Sequence, residues 1–135
     1  MSEPASSAAP EGPVVLIAED DRDIRELVTR KLQTAGFRVI AVGDGLAALR
    51  EARDNKPDIA VLDVMMPGLS GLQLTTALRE DPVTEALPII LLTARSQEFD
   101  VEAGFSLGAT DYIVKPFSPR QLVERIHAAL ATGIE

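Results

Sequence analysis

The chain has 135 residues, a formal net charge of −8 and no cysteine. That length is one domain of ordinary size, and the absence of cysteine excludes disulfides and thiolate metal sites. So acidic a balance repels nucleic-acid phosphates, and the longest apolar stretch, ALPIILLTA, is far too short to cross a bilayer. Direct nucleic-acid binding and membrane insertion are therefore not expected.

Residues 1–13, MSEPASSAAPEGP, lack the basic and apolar regions of a signal peptide and read as a disordered tail. VVLIA (Val14–Ala18) is the first strand candidate and ends in Glu19, Asp20 and Asp21. Ile24, Leu27, Val28, Leu32 and Ala35 then recur at helical spacing, and Gly36 stands where a helix stops. FRVIAV (Phe37–Val42) is a second strand, followed by the turn GDG and the helical LAALREARDN. IAVLD (Ile59–Asp63) and IILLT (Ile89–Thr93) are the third and fourth strands, and YIV (Tyr112–Val114) is a short fifth. Ser118, Pro119 and Gln121 form a helix start with a capping box, and Leu122, Val123, Ile126 and Leu130 give that helix its apolar face. His127 lies off this stripe and reads as an exposed helix residue. Residues 14–132 make the domain, and 133–135 a short C-terminal tail.

Five strand–helix units with Val, Ile and Leu-rich strands predict a doubly wound α/β domain, a parallel sheet covered on both faces. Of the two common doubly wound orders, five strands favour the flavodoxin-like 2-1-3-4-5, in which strands 1 and 3 are neighbours. Glu19, Asp20 and Asp63 then meet at the carboxyl edge, with Thr93 and Lys115 ending the fourth and fifth strands beside them. Carboxylates gathered in this way repel one another and recruit a cation, and oxygen ligands alone suit a hard ion such as Mg²⁺. A carboxylate beside that ion can attack phosphorus and become an aspartyl phosphate. Lys115 can offset the developing charge, and Thr93 can donate a hydrogen bond to a phosphoryl oxygen.

EDD at 19–21, LDVMMPGLSG at 62–71, LLTA at 91–94 and DYIVKPF at 111–117 resemble the receiver domains of bacterial response regulators, over about Val14 to Leu130. The resemblance implies that Asp63 is the phosphoacceptor and that Glu19 and Asp20 are the metal-site acids, with the Met65 main-chain carbonyl as a further ligand. It implies that Thr93 is the switch hydroxyl, Lys115 the charge partner, and Tyr112 the aromatic whose rotamer follows Thr93. The Lys115–Pro116 bond is expected to be cis, and Pro67-Gly68 and Gly71 to frame the acceptor. The implied partners are a histidine kinase or histidine phosphotransferase, docking near the first helix, and a downstream protein target. The implied setting is the bacterial cytoplasm, as a monomer or a weak phosphorylation-dependent dimer.

Other readings fit less of the sequence. Asp20 and Asp21 could simply cap the first helix, but Asp63 and Lys115 would then be coincidences. A haloacid-dehalogenase-type phosphatase would want an acid two residues after the nucleophile, where Met65 stands. A nucleotide or flavin site would want glycines in the first turn, where EDDRD repels a phosphate. A phosphorylation-independent docking domain usually lacks an acid, the Thr or the Lys, and none is missing. A receiver portion of a longer DNA-binding regulator remains an alternative, with Asp111 and Arg125 as the charged positions of its dimer face. Gly104 interrupts the fourth helix at about 1 kcal/mol against alanine, marking that helix as the expected mover. Arg95 is a candidate shield for the phosphoryl group, and Met65 offers no group to orient an attacking water.

Overall fold

The computed structural model describes residues 12–94 and 98–133, with the main chain alone at 98–101, 132 and 133. The chain alternates β1 (Val14–Ala18), α1 (Arg22–Thr34), β2 (Arg38–Val42), α2 (Gly45–Asn55), β3 (Ile59–Asp63), α3 (Gly71–Glu80), β4 (Ile89–Ala94), α4 (Glu98–Leu107), β5 (Asp111–Lys115) and α5 (Pro119–Gly133). The five strands are parallel, in the order β2-β1-β3-β4-β5. This is the expected doubly wound sheet. Phe37 is buried just outside β2, and β4 and β5 each run further than their apolar residues suggested.

Side-chain alternation along the strands divides the core in two. Val15, Ile17, Ile59, Val61, Ile90, Leu92 and Ile113 point to one face, where α1 and α5 bring Val28, Leu32, Leu122 and Ile126. Leu16, Ala60, Leu62, Ile89 and Leu91 point to the other, against Ala48 and Ala52 of α2 and Leu74 and Leu78 of α3. Each large side chain buried this way contributes about 1.5–3 kcal/mol. Every residue of β3 is buried, so the strand that ends in Asp63 is held from both sides.

Local chemistry sets the helix starts. The side chain of Asp21 accepts from Ile24 N (3.0 Å), and that of Asp44 from Ala47 N (2.8 Å). Ser118 Oγ accepts from Gln121 N (3.0 Å). The full reciprocal capping box stands at α3, where Ser70 and Gln73 each satisfy the other's main chain. α1 ends with Gly36 at φ +101°. Gly12 and Pro13, the last residues of the expected tail, both accept from Arg38, through Nε and the main-chain N respectively. Residues 1–11, 95–97 and 134–135 lie outside those described, and with them Arg95 and the rest of the tails.

α1 leaves β1 toward one face and α3 leaves β3 toward the other. A crevice therefore opens beyond the carboxyl ends of these neighbouring strands, where ligands bind in open α/β sheets.

Candidate functional site

Glu19 and Asp20 follow β1 directly, and Asp63 is the last residue of β3. One carboxylate oxygen from each of the three lies within 4.8 Å of the others. Glu19 and Asp63 are buried and Asp20 is exposed. Because Asp21 and not Asp20 caps α1, Asp20 is left to face the crevice group. Lys115, the last residue of β5, reaches across the strand ends. Its Nζ donates to Asp63 Oδ2 (2.7 Å) and to Glu19 Oε1 (2.9 Å).

Main-chain groups hold the remaining oxygens. Met65 N donates to Asp63 Oδ1 (3.1 Å) and Asp21 N to Glu19 Oε2 (3.1 Å). Arg25 Nη1 donates to the Glu19 carbonyl (2.8 Å), fixing the turn after β1 from α1. Burial raises the Glu19 pKa and the Asp63 charge adds to that, outweighing Lys115 and the Asp21 N–H, which pull it down. For Lys115, burial pulls down, but hydrogen bonds and charge from Asp63 and Glu19 outweigh it and hold the ammonium above its ordinary value. One ammonium thus serves two buried carboxylates.

The loop after Asp63 keeps the carboxylate in place. Gly71 N donates to the Val64 carbonyl (2.9 Å), and a Cβ at Gly71 would stand 2.5 Å from the Asp63 carbonyl oxygen. Only glycine allows so close an approach. Gly68, at φ +81°, makes the turn. The Lys115–Pro116 bond is cis, as expected. The Met65 side chain is 60% exposed, so its tie to the site is the main chain.

Thr93 and Tyr112 are the expected switch pair. Thr93 is buried on β4, one position beyond Leu92, the register partner of Asp63, and its hydroxyl donates to the Ala94 carbonyl (3.2 Å). The half-buried Tyr112 meets Phe105 of α4 edge-on, with ring centroids 5.5 Å apart. Arg125 Nη1 binds both oxygens of Asp111 (2.9 Å each) and the Tyr112 carbonyl (3.2 Å). The charges expected at a dimer face are thus paired within the chain.

Two features escaped the sequence. Leu27 falls on the apolar stripe of α1 by its spacing, yet it is 49% exposed. With Ile24, Val28, Lys115, Pro116, Phe117 and Pro119 it lines an apolar groove of about 400 Å³ beside the acids. The second is Gly104. A Cβ there would lie 2.5 Å from Leu91 Cδ1, so this glycine lets α4 seat closely on β4. No residue spacing could have shown either contact.

The donor set suits a hard divalent cation: oxygen ligands only, with charge to spare. Residues 15–127 match the sequence model of the response regulator receiver domain. The chain belongs to that family. Receiver domains are signalling modules of two-component systems. The chain is 40% identical over 116 residues to DNA-binding response regulator MtrA of Mycobacterium tuberculosis, covering 86% of this chain and 50% of that protein. It is 42% identical over 119 residues to the phosphate regulon transcriptional regulatory protein PhoB of Pseudomonas aeruginosa, covering 88% and 52%. It thus spans about half the length of these curated relatives.

Among solved structures, a response regulator from Chloroflexus aurantiacus superposes with a TM-score of 0.85 at 38% identity, covering 90% of this chain and 99% of that one. Chemotaxis response regulator CheY4 of Vibrio cholerae gives 0.83 at 32%, covering 88% and 99%. The receiver domain of sensor histidine kinase PA1611 of Pseudomonas aeruginosa gives 0.83 at 30%, covering 90% and 99%, and holds a magnesium ion in its active-site cleft. No helix among the described residues of this chain is long and apolar enough to cross a membrane.

Proposed function

We propose that residues 14–132 form a receiver that accepts a phosphoryl group on Asp63 from a phosphohistidine of a histidine kinase or histidine phosphotransferase. A carboxylate oxygen of Asp63 forms the new bond to phosphorus, and the P–N bond breaks with its electron pair returning to the imidazole. Glu19, Asp20, Asp63 and the Met65 carbonyl would hold Mg²⁺, which offsets charge on the phosphoryl oxygens. Lys115 turns its ammonium toward the same oxygens, and Thr93 donates to one of them. The observation that carries this reading is a buried strand-end carboxylate, bound at one oxygen by Lys115 and grouped with two further acids.

Thr93 and Tyr112 then couple the new charge to the face of α4, β5 and α5, where a downstream protein target binds. The apolar groove between α1 and the β5–α5 turn supports α1 as the docking side for the donor, because it adjoins the acids through Lys115. The domain works in the bacterial cytoplasm, as a monomer or a weak phosphorylation-dependent dimer. A second reading, the receiver portion of a DNA-binding regulator, is favoured by the names of the relatives and by the half-length match. The net charge of −8 still argues against direct nucleic-acid contact by these residues.

Intact mass after incubation with acetyl phosphate, with and without Mg²⁺, tests the proposal on wild type and Asp63→Asn. One phosphoryl adduct that needs Mg²⁺ and is lost in the variant is expected. An adduct that survives Asp63→Asn overturns the assignment, as does its absence from wild type under rapid quench.

A further inference from the structure

Arg79, near the end of α3, has no place in the acceptor chemistry, yet it is one of the most heavily bonded side chains in the domain. Its Nε donates to the Gly108 carbonyl (2.9 Å), and its Nη1 to the carbonyls of Leu87 (2.6 Å) and Glu85 (3.0 Å). Burial holds its guanidinium below the ordinary arginine value. A fork of fixed donors can join two separate loops in this way, and a lysine's single ammonium cannot.

The Gly108 end of that fork is where α4 stops. Gly108, at φ +109°, donates to the Phe105 carbonyl (3.1 Å), and Ala109 N to the Gly104 carbonyl (2.8 Å), a Schellman ending. A Cβ on Gly108 would stand 2.9–3.2 Å from Arg79 Nε, Cγ and Cδ, so the arginine stem lies flat against the glycine. One residue further, Thr110 N donates to the Ile89 carbonyl (2.7 Å), and Thr110 Oγ1 accepts from Ile89 N (3.0 Å). Gly104 seats the same end of the helix on Leu91. The end of α4 and the residues just after it are therefore bound to β4 and to Arg79 of α3, and Arg79 in turn grips the α3–β4 loop.

We propose that Arg79 is the positioning residue of the switch, a pin that fixes the 104–110 end of α4 so that the helix answers a phosphoryl group on Asp63 by pivoting about that end. The inference rests on the phosphoacceptor reading of Asp63. A pinned end also explains why Gly104 is tolerated. It serves close packing at the pivot and is no sign that this end is loose. Phe105 lies within the pinned turn, so its ring gives Tyr112 a fixed seat while the opposite end of α4 moves.

Amide hydrogen exchange by NMR tests the pin, with beryllofluoride plus Mg²⁺ as a stable mimic of the phosphoryl group. In wild type, the mimic should change exchange in residues 98–103 and leave Gly108, Ala109 and Thr110 within twofold of their unliganded rates. In Arg79→Met, the unliganded rates at these three amides should rise at least tenfold, and the mimic-induced change should spread to them. Arg79→Lys, which keeps the charge but not the fork, should fall between the two and serves if the methionine variant does not fold. Equal perturbation of 98–103 and 108–110 in wild type would overturn the pivot. Equal protection of 108–110 in wild type and variants would overturn the pin. Failure of beryllofluoride to bind, seen directly by fluorine NMR, would count against the Asp63 reading, and the pin is then decided by the unliganded comparison.

Discussion

Lys115 Nζ lies 2.7 Å from Asp63 Oδ2, joining residues 52 positions apart in the chain, and the same ammonium also meets Glu19. Removing it leaves two buried carboxylates facing each other. Breaking a fully buried pair costs about 3–5 kcal/mol, but the Lys115 side chain is 25% exposed. Lys115→Met should therefore destabilise the metal-free protein by about 2 kcal/mol. Millimolar Mg²⁺ should restore part of the loss, because a bound cation replaces the missing charge. Urea unfolding at pH 7, with and without Mg²⁺, measures both. An unchanged midpoint without Mg²⁺ would show that the ammonium does not hold the acids together.

The raised Lys115 pKa carries its own pH dependence. The folded state holds this proton more tightly than the unfolded state, so the stabilisation is complete below the ordinary lysine value and is lost as pH rises through the higher folded value. Between neutral pH and that alkaline window, stability of wild type relative to Lys115→Met should stay level and then fall. A difference that grows with rising pH would contradict the sign.

At Glu19 the charged form is the disfavoured one. Its pKa is raised chiefly by burial, so its ionised form is a cost to the folded state at neutral pH. Glu19→Gln, which keeps an acceptor for Lys115, should stabilise the metal-free protein by about 1 kcal/mol at pH 7. The gain should vanish as pH falls through the raised Glu19 value, where wild type is protonated as well. Mg²⁺ affinity should drop in the same variant. Thermal unfolding across pH 4–8 gives the first result and calorimetric Mg²⁺ titration the second.

Gly71→Ala places a methyl 2.5 Å from the Asp63 carbonyl and 2.8 Å from Val64 Cα, both main-chain atoms that cannot turn aside. The expected cost is about 2–3 kcal/mol. On the phosphoacceptor reading, displacement of Asp63 should also slow modification by acetyl phosphate about 10- to 100-fold. Denaturant unfolding and the rate of mass gain check the two effects separately.

Gly104→Ala sets helix propensity against packing. An exposed helix position would gain about 1 kcal/mol, but here the new methyl meets Leu91 Cδ1 at 2.5 Å, and Leu91 is itself buried. Overpacking of this kind costs about 1–3 kcal/mol, so a net loss near 1 kcal/mol is expected by urea unfolding. A net gain would show that Leu91 has room to move.

The strands, their order and the strand-end residues were legible because each rests on local pattern. Apolar runs of four and five residues leading into Asp63 and Glu19 read as buried parallel strands, and the doubly wound order then brings their ends together. Gly36 and Ser118 were equally local, whereas the cis bond before Pro116 was implied only by the resemblance to receiver domains. The helix caps were legible in kind but not in assignment. EDD offered three acids for one cap, and only the turn after β1 decided that Asp21 takes it while Asp20 stays in the acidic cluster with Glu19 and Asp63.

Local pattern was enough to specify the doubly wound sheet and the residue types gathered at its carboxyl edge, since burial period and residue type act over a few positions. It took the packing of helices on the sheet to show that Lys115 serves Glu19 and Asp63 together, that Leu27 lines a groove, that Gly104 is a packing contact, and that Arg79 binds the end of α4. Each depends on a gap of a few ångströms between elements tens of residues apart. That gap is set by how the helices settle on the sheet, and no spacing along the chain records it.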